Sequence, residues 1–245
     1  MGNPVVHFEI MGVDGDALGR FYTEVFGWDI QSMPETNYGL VDTRGGEGVN
    51  GGIATTEPGR TGVAFYVEVP DTDTMLRSIE AAGGTIVMPT TSIPGVVTFA
   101  MFRDPQGNHV GLVRNEGGTD PAEGRPADGD GAPVSWFEVL GPDGAGLRDF
   151  YGRLFGWTFK VNESFDYAEV DTGAARGIPG GIGTHPEGKT AVTVYARVDD
   201  LGQTLKGVEA EGGTTVMPPM NVGEGTEVAQ FADPQGNVFG LFRSA

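Results

Sequence analysis

The side chains best suited to chemistry in this 245-residue sequence lie on strand-like segments. His7 and Glu9 alternate with apolar residues between Val5 and Met11, so both point to one face of a predicted strand. Imidazole and carboxylate groups can ligate a metal ion or exchange a proton with a substrate. Glu138 stands at the place equivalent to Glu9 in the second half of the chain. Glu9 and Glu138 are therefore candidate general bases, with a rim carboxylate or an ion-pair partner as the alternative.

Other catalytic chemistries have little support in the sequence. There is no cysteine, which excludes disulfides, thiolate nucleophiles, zinc–thiolate sites and iron–sulfur clusters. The glycine-rich stretch 45–52 has no lysine and opens no helix, so it does not predict a phosphate-binding loop. His185 lies beside Pro186 and is interpreted as a loop residue.

The net charge limits the classes of molecule that the protein is expected to bind. Thirty-four acidic residues against fifteen basic ones give a net charge of −19, which opposes binding to nucleic acid or to an anionic membrane. The N-terminal residues show no secretory signal, and no apolar run is long enough to span a bilayer. We expect a cytoplasmic protein whose partner is a small molecule.

The elements that position these residues occur twice. The motif Phe102–Leu112, with its turn Asp-Pro-Gln-Gly-Asn, returns as Phe231–Leu241. Proline fixes φ at the first corner and glycine tolerates positive φ at the second, so each copy predicts a hairpin. The same offset of about 129 residues relates Trp28 to Trp157, which indicates a duplicated domain.

The repeat sets the predicted domain boundaries. Residues 1–114 form the first domain, 115–131 an acidic linker rich in glycine and proline, and 132–245 the second domain. Because a tandem pair can replace a dimer of single domains, a monomer is favoured.

Each half reads as two strand–helix–three-strand modules. The periodicity predicts helices over 14–26 and 71–82, and Asp14 is a plausible N-cap. Three short-loop strands follow each helix, and the strand after the second helix is predicted over 85–88, ending before Pro89. This order favours an α+β fold of four βαβββ modules with concave, mixed, mainly antiparallel sheets over a doubly wound sheet.

Three segments of the first half resemble a known superfamily. Phe21–Trp28, Val69–Asp73 and Phe102–Asn108 are similar to conserved segments of the vicinal oxygen chelate superfamily, which includes glyoxalases, bleomycin resistance proteins and extradiol dioxygenases. All three recur in the second half. The tandem form is similar to a bacterial group labelled as hydroxylases or glyoxalase-like proteins. The resemblance implies the fold, but not one function, because the fold hosts many chemistries.

The resemblance also implies where a metal would sit. Metal-dependent members hold the ion with ligands on the first and fifth strands and a glutamate on the eighth, four residues after the turn glycine. The corresponding residues here are His7, approximately Ala64, and Gly111 in the first half, and Trp136, approximately Thr193, and Gly240 in the second. Only His7 could coordinate an ion, so we expect no metal and no other cofactor.

A substitute metal site is the alternative. Glu9 and His109 each lie two residues from a position where the family has a ligand, and so share a strand face with it. His7, Glu9 and His109 could form a two-histidine, one-carboxylate set. The second half has Trp136, Glu138 and Val238 at these places, which argues against it.

Three functions remain open at this point. The first is metal-independent binding of a small, partly aromatic molecule in a sheet cup. The second is a metal-dependent lyase or a dioxygenase/hydroxylase that uses His7 with substitute ligands, and the third is a non-catalytic scaffold. The predicted ligand-binding residues are His7, Tyr38, His109, Trp136 and Tyr167.

Overall fold

The computed structural model describes residues 2–116, 129–223 and 225–244. These residues form four α-helices: α1 (Gly15–Phe26), α2 (Thr72–Ala81), α3 (Gly144–Phe155) and α4 (Leu201–Ala210). The strands of the first half are β1 (Val5–Gly12), β2 (Asp29–Met33), β3 (Tyr38–Asp42), β4 (Gly51–Thr55), β5 (Gly62–Glu68), β6 (Thr85–Ile93), β7 (Val97–Arg103) and β8 (His109–Asn115). Those of the second half are β9 (Val134–Gly141), β10 (Thr158–Asn162), β11 (Tyr167–Asp171), β12 (Gly180–Thr184), β13 (Ala191–Arg197), β14 (Thr214–Gly223), β15 (Thr226–Ala232) and β16 (Val238–Arg243).

The strand order confirms the predicted α+β duplication. One eight-stranded sheet has the order β2-β3-β4-β1-β5-β8-β7-β6, and the other has the equivalent order β10-β11-β12-β9-β13-β16-β15-β14. The pairs β1/β4 and β5/β8 are parallel, whereas β2/β3, β3/β4, β6/β7 and β7/β8 are antiparallel. Both sheets are therefore mixed and mainly antiparallel. Most of the predicted linker, residues 117–128, lies outside the described residues, so the domain boundaries stay a prediction.

The first helix begins and ends where its sequence signals lie. The Asp14 side chain accepts a hydrogen bond from the Ala17 amide at 2.8 Å, and Gly27 closes the helix at φ 69°. The residues at three- and four-residue spacing form its buried face: Leu18, Phe21, Tyr22 and Phe26. Asp71 caps α2 in the same way through the Thr74 amide.

One predicted strand boundary was wrong. Strand β6 does not end at Met88 but continues through Pro89 to Ile93. It is an edge strand, and its pairing with β7 shifts register between Ile86 and Met88 and again between Met88 and Thr91. A proline is tolerated there because an edge strand at a bulge does not need every backbone N–H for pairing.

The chain packs as two compact units, each built from both halves of the sequence. The described residues of unit 1 are 2–7, 64–116 and 136–192. Those of unit 2 are 8–63, 129–135, 193–223 and 225–244. Each unit thus takes one hairpin motif from one half and one N-terminal helix of a repeat from the other.

In unit 1 a buried carboxylate joins the two halves. Asp104, at 3% exposure, accepts hydrogen bonds from the amides of Gln106 at 2.9 Å and Asn108 at 3.0 Å, and from Asn108 Nδ2 at 2.9 Å. The Tyr151 hydroxyl, on α3 of the other half, donates to the same carboxylate at 3.0 Å. The pKa of Tyr151 is raised well above its ordinary value, by burial and then by the Asp104 charge.

The turn glutamine fastens the hairpin to the start of that helix. Gln106 Oε1 accepts from the Asp143 amide at 3.0 Å, and Gln106 Nε2 donates to the Asp143 carbonyl at 2.7 Å. Asp143 is the N-cap of α3. The hairpin therefore fixes both the N-cap and the buried face of a helix from the other half.

Unit 2 repeats this arrangement with the halves exchanged. The Tyr22 hydroxyl donates to Asp233 at 3.1 Å, and Gln235 Nε2 donates to the Asp14 carbonyl at 2.7 Å. Tyr22 also stacks on Trp28, with ring centroids 5.4 Å apart and planes at 10°.

Removing one Tyr–Asp hydrogen bond should destabilise the protein with little change in side-chain volume. In Tyr151→Phe the buried Asp104 carboxylate loses a donor, so we expect the free energy of unfolding to fall by about 1–3 kcal/mol. Tyr22→Phe should cost a similar amount, and the double variant should be close to additive because the two pairs share no residue. Urea unfolding followed by circular dichroism measures both. Phe165→Ala, at a ring that is 76% exposed, is the control and should change the free energy of unfolding by less than about 0.5 kcal/mol. An equal loss of free energy of unfolding in the control and in Tyr151→Phe would contradict the role given to the hydrogen bond.

Candidate functional site

His7 lies against a tyrosine in unit 1. Its ring centroid is 5.5 Å from that of Tyr66 on β5, at an interplanar angle of 76°. Burial lowers the pKa of the His7 imidazole to about 4. At neutral pH the imidazole is therefore uncharged and offers one donor and one acceptor.

Tyrosine rings cover the strand positions where the metal-dependent proteins have glutamate. A Cβ added to Gly111 would lie 2.2 Å from Tyr66 Cδ1, and the two residues are register partners in β5 and β8. In unit 2 a Cβ at Gly240 would lie 2.2 Å from Tyr195 Cδ1, and the Tyr195 hydroxyl accepts from Gln230 Nε2 at 2.8 Å. A glutamate at either position would require the ring to move.

The residues present do not fit the metal centre of the metal-dependent proteins. Gly111 and Gly240 provide no donor atom, and aromatic rings lie above both. Within the residues that the structure describes, no group of three or more His, Asp or Glu side chains is arranged to hold an ion. The alternative set of His7, Glu9 and His109 is thus not formed. His109 instead accepts a hydrogen bond from Arg103 Nε, and its pKa is lowered by burial and then by that guanidinium.

In unit 2, Glu9 is paired with a tyrosine. Glu9 is 8% exposed and accepts a hydrogen bond from the Tyr38 hydroxyl. Burial, and then the Glu9 charge, raise the pKa of Tyr38 well above its ordinary value. The Tyr38 hydroxyl lies over Gly52, where an added Cβ would be 1.8 Å from it. The small residue at 52 is what allows the pair to form.

In unit 1, Glu138 belongs to a three-residue chain of hydrogen bonds. The Trp136 indole N–H donates to the Tyr167 hydroxyl, which donates to Glu138 Oε1 at 3.1 Å. The pKa of Tyr167 is raised well above its ordinary value, mainly by burial and then by the Glu138 charge. Gly181 gives the space, since an added Cβ would lie 1.7 Å from the Tyr167 hydroxyl. Three predicted site residues, Trp136, Glu138 and Tyr167, are thus brought together.

A pocket of about 370 Å³ opens beside Trp136. The lining side chains that can stack, hydrogen-bond or carry a charge are Trp136, Thr158, Lys160, Glu169 and Asp171. Lys160 Nζ lies 3.5 Å from Glu169 Oε2. Because Phe137 packs in the core against Trp157, strand alternation places Trp136 on the opposite face of the sheet. The pocket combines one aromatic wall with charged groups of both signs.

Sequence reasoning missed part of this site. Tyr66, Tyr195 and Gln230 were not predicted, nor were Lys160 and Glu169. The signal available for the tyrosines was the pair Gly111 and Gly240, since a glycine inside a strand often marks close approach by another group. Nothing in the sequence identified which ring would take that space.

Comparison with known families agrees with the fold and the motifs. Residues 5–43 match the model of the bleomycin resistance protein-like N-terminal family. Residues 134–241 match that of the glyoxalase/bleomycin resistance protein/dioxygenase superfamily. The chain belongs to this superfamily, also called vicinal oxygen chelate, as a tandem two-domain member.

Individual relatives show how far the similarity extends. The "Putative glyoxylase CFP32" of Mycobacterium tuberculosis is 27% identical over 256 residues, covering 97% of this chain and 93% of that protein. The anthracycline biosynthesis protein DnrV of Streptomyces peucetius is 36% identical over 132 residues, covering 46% of this chain. The match spans 47% of DnrV, or about half its length.

Solved structures show the same fold at low sequence identity. The 2,3-dioxygenase LapB from Pseudomonas sp. KL28 gives a TM-score of 0.71 at 14% identity, covering 100% of this chain and 93% of LapB. The Mn(II)-bound glyoxalase from Novosphingobium aromaticivorans gives a TM-score of 0.65 at 17% identity, covering 99% of this chain and 81% of that glyoxalase.

Among the helices of the described residues, none has the length and apolar character needed to cross a membrane.

The half-buried His7 should make stability depend on pH in a defined window. Its folded pKa of about 4 is below the unfolded value of about 6.5, so the contribution is complete above pH 6.5 and is lost as the pH falls through 4. At pH 5 the loss is about 2 kcal/mol. We expect His7→Gln to show a drop between pH 7.5 and pH 5.0 that is smaller by this amount, measured by urea unfolding.

The matched control for this experiment is His185→Gln, which replaces a histidine in a loop outside the site. It should keep the wild-type drop. If His7→Gln and the wild-type protein lose the same free energy of unfolding on acidification, the burial of His7 does not have the effect assigned to it.

Proposed function

We propose that this protein binds a small, partly aromatic molecule in the pocket beside Trp136, without the metal triad of the metal-dependent members. The observation that carries the proposal is the hydrogen-bonded chain from Trp136 through Tyr167 to Glu138 at the edge of a pocket of about 370 Å³. This volume is within the range of small-molecule sites, at its lower end.

Each group has a defined part in recognition. The Trp136 ring is partly exposed and is held by its own N–H, so it offers a rigid face for stacking at little entropic cost. Glu138 is partly exposed, and because a carboxylate accepts several hydrogen bonds, a ligand hydroxyl or amine can also donate to it. Lys160, Glu169 and Asp171 add charged groups to the pocket lining. The arrangement favours a planar ring that carries hydrogen-bonding substituents.

Three residues of the first half remain candidates for ligand contact. His7, Tyr38 and His109 were predicted as such from the sequence, and the neutral imidazole of His7 suits hydrogen bonding better than charge pairing. The name of DnrV, an anthracycline biosynthesis protein, supports an aromatic ligand class. Cytoplasmic location and a monomeric state stay predictions from the sequence.

A second candidate function uses the same residues as acid–base groups. Both Glu–Tyr pairs place a carboxylate in hydrogen-bond contact with a hydroxyl that stays protonated at neutral pH. Glu138, the more exposed of the two carboxylates, could accept a proton from a ligand bound against Trp136. This would be a metal-free proton transfer, and it requires the same binding site.

Ligand binding can be tested with 1,4-dihydroxyanthraquinone, a planar hydroxylated probe, by the change in the visible absorption spectrum of the probe in the presence of EDTA. We expect saturable binding that Trp136→Ala weakens by at least about tenfold, because the stacking face is lost. Tyr167→Phe should weaken it less, since the ring stays and only the hydroxyl is removed.

Phe165→Ala, at an exposed ring that is not among the pocket-lining residues, is the control and should bind like wild type. Trp136→Phe should recover part of the affinity. Equal affinity in Trp136→Ala and Phe165→Ala would place binding elsewhere and contradict the proposal.

A further inference from the structure

Two ion pairs occupy equivalent places in the two units. In unit 1 the Arg176 guanidinium pairs with Glu68 at the end of β5. In unit 2 Arg197 Nη2 lies 3.1 Å from Glu47 Oε1. Each pair joins a residue of the first half to a residue of the second half.

The repeat allows the charges at equivalent positions of the two halves to be compared. At the offset of about 129 residues, Glu47 is equivalent to Arg176, and Glu68 is equivalent to Arg197. The first half therefore has an acid at both positions and the second half has a base at both. An exact duplication would have placed like charges against each other in both units.

The backbone around the pairs makes equivalent hydrogen bonds in both units. The Glu68 amide donates to the Pro4 carbonyl at 2.8 Å, and the Arg197 amide donates to the Pro133 carbonyl at 2.9 Å. These contacts place the β5 and β13 ends against the start of β1 and β9, respectively.

The loops that carry Arg176 and Glu47 are also fixed by equivalent backbone hydrogen bonds. The Ile178 amide donates to the Val5 carbonyl at 3.0 Å, and the Val49 amide donates to the Val134 carbonyl at 2.9 Å. Ile178 and Val49 each lie two residues after the charged residue of their loop. Equivalent backbone hydrogen bonds thus fix the segments that carry the charged side chains in both units.

We propose that Glu47 and Glu68 on the first half, and Arg176 and Arg197 on the second half, determine which halves can pair. A first half facing another first half would bring Glu47 against Glu68 at both junctions. Two second halves would bring Arg176 against Arg197. Like charges at these distances repel, whereas the pairing in this structure brings opposite charges together.

The first half, with an acid at 47 and at 68, therefore fits a partner half that has a base at each of the two facing positions, which is the second half of this chain or of another copy. Glu68 is well suited to this role because its side chain is only 18% exposed and accepts from Asn115 Nδ2 at 3.2 Å, so it is already held in place. The inference is independent of any ligand.

The first test measures stability in three full-length variants. Glu47→Arg with Glu68→Arg makes all four positions basic, and Arg176→Glu with Arg197→Glu makes all four acidic. Each should lower Tm by about 5 °C or more at low ionic strength, and 1 M NaCl should reduce the loss. The fourfold exchange restores opposite charges and should regain most of the lost Tm. A fourfold variant as unstable as either double variant would overturn the proposal.

The second test measures partner choice directly. The two double variants, one of them isotope-labelled, are mixed, unfolded in urea and refolded together. Only a mixed dimer, in which each half pairs with a half of the other variant, then has opposite charges at every junction. Native mass spectrometry should show this mixed dimer at least about tenfold above the homodimer of either variant. Mixed dimer no more abundant than homodimer would show that the charges do not select the partner.

If a double variant fails to fold, a single junction gives the same test. Glu47→Arg alone and Glu47→Arg with Arg197→Glu change only the more exposed pair. The single variant should lose Tm and the paired variant should recover it. Equal losses in both would contradict the proposal.

Discussion

Each compact unit depends on a buried carboxylate that is shared between the two halves of the chain. Asp104 and Asp233 orient their own turns through backbone and asparagine donors, and each accepts one more hydrogen bond from a tyrosine of the other half. A carboxylate removed from water is stable only with such a set of donors. The turn motif that defines each hairpin is therefore also the contact that builds each unit from two halves.

Glycine is the second constraint, because it lets aromatic side chains cross neighbouring strands. Tyr66 and Tyr195 lie over Gly111 and Gly240, and Tyr38 and Tyr167 reach over Gly52 and Gly181 to their glutamates. The first two contacts take the space of a metal-binding glutamate. The other two order Glu–Tyr pairs. The same type of packing thus fills the space above Gly111 and Gly240 and orders the two Glu–Tyr pairs that we propose as ligand contacts.

Much of the fold followed from local signals in the sequence, whereas the site followed only in part. Asp14 predicted the start of its helix because an N-cap acts within one turn, and the repeat predicted equal strand orders. Pro89 gave a wrong strand end because whether a strand lies at a sheet edge is a tertiary property. Tyr66 escaped prediction because its contact with Gly111 joins strands 45 residues apart in sequence. The partner of Asp104 lies in the other half, where no periodicity points to it.

The tyrosine-covered glycines offer no inherited metal ligand on β8 or β16, and the metal content of the purified protein tests this most directly. Protein purified without added metal is analysed by inductively coupled plasma mass spectrometry, together with His7→Ala. We predict less than one tightly bound transition ion per chain, unchanged in the variant, because neither Gly111 nor Gly240 can supply a ligand. Stoichiometric iron, manganese, nickel or zinc that is lost in His7→Ala would contradict the account.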